Sequence, residues 1–189
     1  MDRVAWGWQV HGADVAAVNA AGGFAGRVDV LVTSIPGVPL AVFTADCLAL
    51  TLCDTEAGAL AVAHAGWRGT AQDVPGVAVA ALRALGARPE RLRVTIAPSI
   101  GPCCYEVDEP VLRELRAAFP ELWERWVVPA RPGHVMLDLW AANEDLLARA
   151  GVDRARIDNA RVCTACRRDV FYSYRKGDRG RLVTVATLP

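Results

Sequence analysis

The feature that most constrains the fold is a series of four apolar, β-prone runs in the first third of the chain. They cover residues 28–33, 40–44, 48–53 and 59–65. A turn-forming stretch at 36–39 separates the first run from the second, and another at 54–58 separates the third from the fourth. Such stretches mark the ends of strands. The pattern predicts a compact set of neighbouring strands.

Three helical patterns and four further β-prone runs follow. Each predicted helix has an acidic residue near its start and a glycine or proline at its end, which are common helix boundaries. The helices are 77–85, with a start at Asp73 and Pro75 and a stop at Gly86; a second from Asp108 to Pro120; and a third from Asp138 to Gly151. The strands are 94–97, 160–163, 170–174 and 182–187. The predicted fold class is α/β or α+β, a single domain with mixed β-sheets flanked by helices.

Composition narrows the functional classes. Hydrophobic residues make up 53% of the 189 and charged residues 22%, a balance typical of a folded domain. The 21 basic and 21 acidic residues cancel, so we expect small substrates and neither nucleic acid nor a membrane as partner. No signal-peptide pattern and no run of about 18–20 apolar residues occurs, which predicts a cytoplasmic protein whose six cysteines are thiols. The oligomeric state stays open.

Histidine is scarce, which limits the candidate sites. The chain has three histidines, His11, His64 and His134. Gly12 follows His11 and is expected to let the backbone turn tightly, leaving the imidazole accessible. His64 ends an apolar run and leads into a glycine-containing loop, a place where sites are common. Cys47 lies between two apolar runs.

Two imidazoles and a thiolate form a donor set that suits zinc. Three protein ligands leave a fourth position for water or substrate, as in catalytic zinc sites. The pattern is equally compatible with histidines that hydrogen-bond in loops or in the core and with a cysteine that packs as a small hydrophobe. Spacing alone leaves both interpretations open.

Five motifs occur in one order along the whole chain. They are Gln-Val-His-Gly at 9–12, Ala-Asp-Cys-Leu at 45–48, Ala-His-Ala-Gly-Trp-Arg-Gly at 63–69, Gly-Pro-Cys-Cys-Tyr-Glu-Val at 101–107, and Cys-Thr at 163–164 before Phe-Tyr-Ser-Tyr-Arg at 171–175. In this order they resemble the laccase-domain family, whose members carry the names polyphenol oxidase, peptidoglycan editing factor and purine nucleoside phosphorylase. The resemblance implies that His11, Cys47 and His64 bind zinc.

The resemblance also implies an activity. This is phosphorolysis of adenosine, inosine, guanosine or methylthioadenosine, with adenosine deamination as an accompanying reaction, so purine nucleosides and phosphate are the implied partners.

Members usually carry an arginine- and glycine-rich segment ahead of the first motif, whereas eight residues precede Gln9 here. We therefore expect residues 1–189 to be one laccase-domain-like catalytic domain without that segment. Ala49 also departs from the family, which commonly has proline there, and Pro75 is unusual so soon after Arg68.

Two residues are candidates for the chemistry. Phosphorolysis needs a cation that holds phosphate, and Arg68 follows His64 by four positions. Its alternative role is to brace the loop beside Trp67. Asp46 is the carboxylate nearest to Cys47, but in a regular strand the two would point to opposite faces. Asp46 can act as an acid or base only if the chain turns or bulges there.

The sequence argues against several rival functions and leaves one open. Three histidines cannot supply the blue-copper and three-copper centres of a true laccase, although copper at the triad could support weak oxidation. The motif of cytidine deaminases is absent, and so is the His-Glu-x-x-His motif of metalloproteases. A hydrolase with Cys47 as nucleophile and His64 as base is disfavoured, because zinc would occupy the thiolate. A hydrolase that edits cell-wall precursors stays open.

A non-catalytic zinc-binding module is the remaining alternative. Cys163-Thr-Ala-Cys166 supplies half of a four-thiolate zinc pattern, and the adjacent Cys103 and Cys104 could complete it. Adjacent cysteines rarely bind one ion together, however. We therefore expect Cys163 and Cys166 to serve structure or redox protection rather than catalysis.

Overall fold

The computed structural model describes residues 3–20 and 22–189, and in this part of the chain thirteen strands form three sheets beside four α-helices. The strands are β1 (Ala5–Trp6), β2 (Val15–Ala17), β3 (Gly23–Phe24), β4 (Val30–Thr33), β5 (Leu40–Thr44), β6 (Leu48–Asp54), β7 (Ala59–Ala65), β8 (Arg93–Ile96), β9 (Glu106–Asp108), β10 (Val127–Pro129), β11 (His134–Leu137), β12 (Ile157–Asn159) and β13 (Leu182–Ala186). The helices are α1 (Trp67–Ala71), α2 (Val74–Ala84), α3 (Glu109–Ala118) and α4 (Leu139–Arg149). No helix within the described ranges has the length and apolar character needed to cross a membrane.

The largest sheet forms the centre of the fold. It has six strands in the order β12-β8-β6-β7-β4-β2, with both parallel and antiparallel pairs. Alternate residues of its central strands belong to two different cores. Leu50 and Ala61 pack in the core shared with α2 and α4, whereas Ala49 and Val62 pack in the core shared with β1 and β5. Because both faces of the sheet are covered, its central strands are apolar almost throughout and do not alternate with polar residues.

The smaller sheets complete the architecture. One has four strands in the order β13-β5-β1-β3 and supplies the second covering layer, and the other has three in the order β10-β11-β9. The predicted fold class is confirmed: the chain is a single mixed α/β domain with several mixed sheets flanked by helices. The three-stranded sheet and the two-residue strands were not predicted, since such short strands lack a distinct hydrophobic pattern.

The predicted strands between residues 40 and 65 and the three predicted helices are present. The strand expected from residue 28 begins two residues later, at Val30. Asp73 and Asp138 cap α2 and α4 by accepting hydrogen bonds from the backbone N–H groups of Gly76 and Ala141, at 3.1 and 3.0 Å. Pro75 lies in the first turn of α2, where a proline is tolerated.

Two strand predictions near the C-terminus are wrong. The strand expected at 160–163 lies earlier, at Ile157–Asn159, and Cys163 makes only an isolated bridge to Ser99. Residues 170–174 form no strand: a turn and a bend lead through irregular backbone to a short 3₁₀ helix that begins at Tyr174. Ser173 explains this difference, because its N–H and hydroxyl groups donate to the carboxylates of Asp178 and Asp46 at 2.9 and 3.0 Å rather than to a neighbouring strand.

Candidate metal centre

Three separate parts of the fold bring the predicted ligands together. His11 lies in the loop after β1, Cys47 lies between β5 and β6, and His64 lies near the end of β7. Their potential ligand atoms are all within 4.8 Å of one another. The rings of the two histidines meet edge to face, with centroids 4.8 Å apart. The geometry therefore suits one ion, and ligation by these residues stays a prediction.

Cys47 is positioned where the chain changes sheets. β5 belongs to the four-stranded sheet and β6 to the six-stranded sheet, and residues 45–47 connect them. Asp46 has a left-handed backbone with φ of 85°, so the turn that an acid or base role would require does occur. Its carbonyl oxygen accepts a hydrogen bond from the backbone N–H of Ile100 at 2.8 Å, which holds this turn.

Both oxygens of the Asp46 carboxylate are already hydrogen-bonded. The carboxylate is buried and accepts hydrogen bonds from the Thr164 hydroxyl at 2.7 Å, the Ser173 hydroxyl at 3.0 Å and the Arg175 backbone N–H at 2.7 Å. It is also absent from the residues that line the cavity in front of the triad. The structure thus places Asp46 behind Cys47, where it ties the turn to the C-terminal segment.

The loop that carries His11 differs from expectation in one respect. His11 itself, rather than Gly12, has the left-handed backbone, with φ of 60°. The strained conformation is held by Asp29, whose carboxylate accepts hydrogen bonds from the backbone N–H groups of Val10, His11 and Gly12 at 3.0, 3.1 and 2.8 Å. The imidazole of His11 is exposed, as predicted.

Asp29 is the site residue that sequence reasoning missed. Its side chain is buried and also contacts His64, with 2.7 Å between Oδ1 of Asp29 and Nδ1 of His64. An ionised carboxylate only accepts, so Nδ1 carries the proton and Nε2 is the nitrogen free for a metal. The available signal was a single carboxylate inside the apolar run 28–33, where an unpaired charge would be costly.

Charge is distributed across the triad and Asp29. Burial alone would raise the pKa of Asp29, but hydrogen bonds from His64 and from the loop backbone lower it. Burial would raise the pKa of Cys47, but hydrogen bonding and charge from His11 and His64 lower it to about 7. Burial would lower the pKa of His64, but Asp29 and Cys47 raise it to about 9. A thiolate is therefore accessible near neutral pH, which is the form that binds metals.

Gly66 allows the close packing of the triad. A Cβ atom at this position would lie 2.8 Å from Sγ of Cys47 and 3.4 Å from a ring carbon of His11. Real Cβ atoms do not approach other atoms so closely. The donor set, the proton fixed on Nδ1 of His64 and this glycine together fit a single borderline-soft ion such as zinc or copper.

A broad cavity of about 1320 Å³ opens in front of the triad. Its walls include four aromatic side chains, Trp6, Trp8, Phe43 and Tyr174, and two cations, Arg68 and Arg181. The guanidinium carbon of Arg68 lies 4.2 Å from the centroid of the Trp67 ring, and the side chain is exposed. Within the described ranges neither cation forms a salt bridge, although Nη1 of Arg181 donates to the carbonyl oxygens of Arg179 and Gly180 at 3.1 and 2.8 Å. Arg181 was not predicted as a site residue.

His134 lies outside this site. It is on β11, where its Nε2 atom is 2.8 Å from the guanidinium of Arg131.

Comparison with known proteins identifies the family. The sequence profile of the family described as multi-copper polyphenol oxidoreductase laccase matches residues 1–189. The chain belongs to this family. It is 43% identical over 183 residues to a protein of Deinococcus radiodurans named purine nucleoside phosphorylase, with 96% of this chain and 68% of that protein covered.

Two further family relatives bear on the site. A protein from an unknown prokaryotic organism, named adenosine deaminase, is 37% identical over 149 residues, with 79% of this chain and 57% of the relative covered. The crystal structure of YlmD from Geobacillus stearothermophilus superposes with a TM-score of 0.93 at 34% identity, covering 100% of this chain and 74% of that one. The chain thus spans between about half and three quarters of the length of these family relatives.

Proposed function

We propose that this chain is a zinc-dependent purine nucleoside phosphorylase with accompanying adenosine deaminase activity, and that residues 1–189 act as one catalytic domain. The observation that carries the proposal is the combination, in one cavity, of the triad His11, Cys47 and His64 with the cation Arg68 and aromatic walls. Relatives named purine nucleoside phosphorylase and adenosine deaminase support it. The substrates would be adenosine, inosine, guanosine or methylthioadenosine, together with phosphate.

Arg68 is proposed to bind phosphate. Its guanidinium lies over the ring of Trp67 at the wall of the cavity, a contact that would orient the group toward a ligand there. An arginine held in this way can donate two parallel hydrogen bonds to a phosphate. Arg68 can therefore bind phosphate and brace the loop beside Trp67 at the same time, so the two roles considered from the sequence do not exclude each other. Arg181 would add a second positive charge.

Aromatic side chains are proposed to hold the purine. Trp8 is 60% exposed, an unusual environment for so large an apolar surface, and it lines the cavity together with Trp6 and Phe43. A planar base stacking there would cover this surface, and such stacking contributes about 1–3 kcal/mol per base. Such a wall favours a nucleoside over a small polar substrate.

The triad and the residues behind it would provide the reacting centre. Zinc held there would supply Lewis-acid chemistry to the substrate. Asp29 keeps His64 in the required tautomer, and Asp46 holds the turn that presents Cys47. The arrangement leaves the general acid or base unassigned, because the carboxylate of Asp46 has three donors and does not line the cavity.

Incubation of the chain with adenosine, with and without phosphate, tests the proposal. Chromatography resolves adenine, hypoxanthine and inosine. Adenine that forms only with phosphate supports phosphorolysis, and inosine that forms without phosphate supports deamination. A His64→Ala variant should lose both activities, whereas His134→Ala, which removes the histidine outside the site, should retain them.

The same assay separates the rival functions. Oxidation of phenols by the copper-loaded chain without nucleoside turnover would favour a copper-dependent polyphenol oxidase. Cleavage of a cell-wall precursor without nucleoside turnover would favour an editing hydrolase. Zinc binding without turnover of any of these substrates would favour a non-catalytic zinc-binding module.

A further inference from the structure

Four cysteines form a second cluster away from the triad. Cys103 and Cys104 lie in the turn after Ile100, and Cys163 and Cys166 lie in the loop after β12. Their four Sγ atoms are all within 4.8 Å of one another. Two of these distances are 3.6 Å, from Cys103 to Cys166, and 3.4 Å, from Cys104 to Cys166.

The spacing of the sulfurs matches a single ion. In a tetrahedral site with zinc–sulfur bonds of about 2.3 Å, neighbouring sulfurs lie about 3.8 Å apart. The two measured separations, 3.4 and 3.6 Å, are slightly shorter than this value, and every other pair lies within 4.8 Å. A polynuclear iron–sulfur cluster binds its cysteines through different iron atoms, so it needs a wider arrangement.

The turn at 101–104 overcomes the objection to adjacent cysteine ligands. The backbone N–H of Cys104 donates to the carbonyl oxygen of Gly101 at 3.0 Å, which closes a tight turn. As a result, both Cys103 and Cys104 direct their sulfurs toward Cys166. The tertiary fold thus places Cys103 and Cys104 beside Cys163 and Cys166, although their adjacency in the sequence argued against a common ion.

Burial in an apolar core does not account for the cluster. Cys103 and Cys166 are exposed and Cys104 is half-buried, whereas Cys163 is buried. The backbone N–H of Gly101 donates to Sγ of Cys163 at 3.2 Å, a contact that suits a sulfur carrying negative charge. Cys163 belongs to the apolar core and Cys104 packs against it, but apolar packing does not explain why the exposed Cys103 and Cys166 bring their sulfurs to the same place.

We propose that Cys103, Cys104, Cys163 and Cys166 form a second metal site that binds one zinc ion through four thiolates. Binding would release the thiol protons to solvent. Because protein sulfurs fill all four positions, the site would be structural rather than catalytic. It is separate from the triad and does not depend on the activity proposed above.

The second site would brace the first one. Thr164 lies between Cys163 and Cys166, and its hydroxyl donates to Asp46, the neighbour of Cys47. The backbone N–H of Thr164 also donates to the carbonyl oxygen of Ser99 at 3.1 Å. An ion that fixes the two cysteine loops would therefore stabilise the turn that carries Cys47.

Metal analysis of the full chain, purified with a reducing agent and loaded with zinc, tests this inference. We expect about two zinc ions per chain in the parent, and about one in both Cys166→Ser and His64→Ala. The matched control Cys53→Ser removes a cysteine outside both clusters and should retain two. Loss of one zinc ion from Cys166→Ser but not from Cys53→Ser would identify the four-thiolate site. This result does not depend on whether the chain turns over a nucleoside.

Cobalt spectroscopy provides a measurement that does not require a fragile cysteine variant. In His64→Ala loaded with Co²⁺, the remaining ion should show strong sulfur-to-cobalt charge-transfer absorption and the visible bands of a tetrahedral four-thiolate site. Two results would overturn the proposal. In the first, the parent binds one zinc ion per chain and Cys166→Ser binds the same amount. In the second, two of these four cysteines stay joined as a disulfide after reduction and zinc loading, and no second zinc ion binds.

Discussion

Nδ1 of His64 lies 2.7 Å from Oδ1 of Asp29, and the two side chains are 4% and 0% exposed. This contact joins β7 to the residue immediately before β4, in the centre of the largest sheet. The same carboxylate accepts the backbone hydrogen bonds that hold the loop of His11. One buried aspartate therefore positions two of the three candidate ligands.

Replacing Asp29 with asparagine should weaken metal binding. The amide cannot match the charge that orients His64, and loss of such a partner typically costs about 10- to 100-fold in metal affinity. Zinc affinity measured by competition with a chelator checks this. Asp54→Asn is the control, because Asp54 is equally buried but lies at the far end of β6. Equal zinc affinity in Asp29→Asn and the parent would contradict the role given to Asp29.

Gly66→Ala should disrupt the triad. The added methyl group would lie 2.8 Å from Sγ of Cys47, so the sulfur or the backbone has to move. We expect at least about 10-fold weaker zinc binding. Gly12→Ala is the matched control, since its methyl group would have no neighbour nearer than 3.5 Å. If both variants bind zinc like the parent, the close approach at Gly66 has no bearing on the site.

Arg68→Ala should raise KM for phosphate by about 10- to 100-fold, the cost of losing a charge-assisted hydrogen bond. Arg68→Lys should recover only part of the loss, because an ammonium group lacks the planar pair of donors. Phosphate-dependent initial rates measure the effect, with Arg83→Ala as an exposed control on α2. A change in kcat with no change in KM for phosphate would speak against phosphate binding by Arg68.

Asp46→Asn separates the two roles considered for this residue. Since three donors engage the carboxylate, we expect the free energy of unfolding to fall by about 2 kcal/mol while the pH profile of kcat keeps its shape. Chemical denaturation and pH-dependent rates provide the two measurements. A lost limb of the pH profile at unchanged stability would instead assign Asp46 to acid–base chemistry.

Asp54 should make stability depend on pH. Burial alone would raise its pKa, but hydrogen bonds from the backbone of Arg88 and Ala57 and from the Arg91 side chain lower it. A carboxyl group whose pKa is lower in the folded state stabilises the fold above its unfolded pKa of about 3.9, and this contribution is lost as the pH falls through the folded pKa. Asp54→Asn should therefore be less stable than the parent by about 2 kcal/mol at pH 7, with a smaller difference below about pH 4.

Denaturant unfolding at several pH values checks that prediction. Asp158→Asn is the control, because Asp158 is exposed on β12 whereas Asp54 is buried. A stability difference for Asp54→Asn that stays constant from pH 7 to strongly acidic pH would refute the assignment.

The sequence by itself determined the strands at the centre of the fold. Residues 48–53 and 59–65 are apolar almost throughout because β6 and β7 are covered on both faces, and this pattern is visible without the structure. The helix ends at Asp73 and Asp138 were also local, since each cap bonds a residue three positions away. Donor types and spacing left His11, Cys47 and His64 open as ligands, and the resemblance of their motifs to the laccase-domain family selected them.

Only the tertiary structure decided how these residues are supported. Asp29 and His64 are 35 positions apart, and Asp46 lies 118 positions from Thr164 and 127 from Ser173. Contacts of this kind leave no periodicity in the chain, because they depend on where β5, β7 and the C-terminal loops meet in space. The same holds for the four cysteines, whose spacing along the chain disfavoured a common ion until the turn at 101–104 brought their sulfurs together.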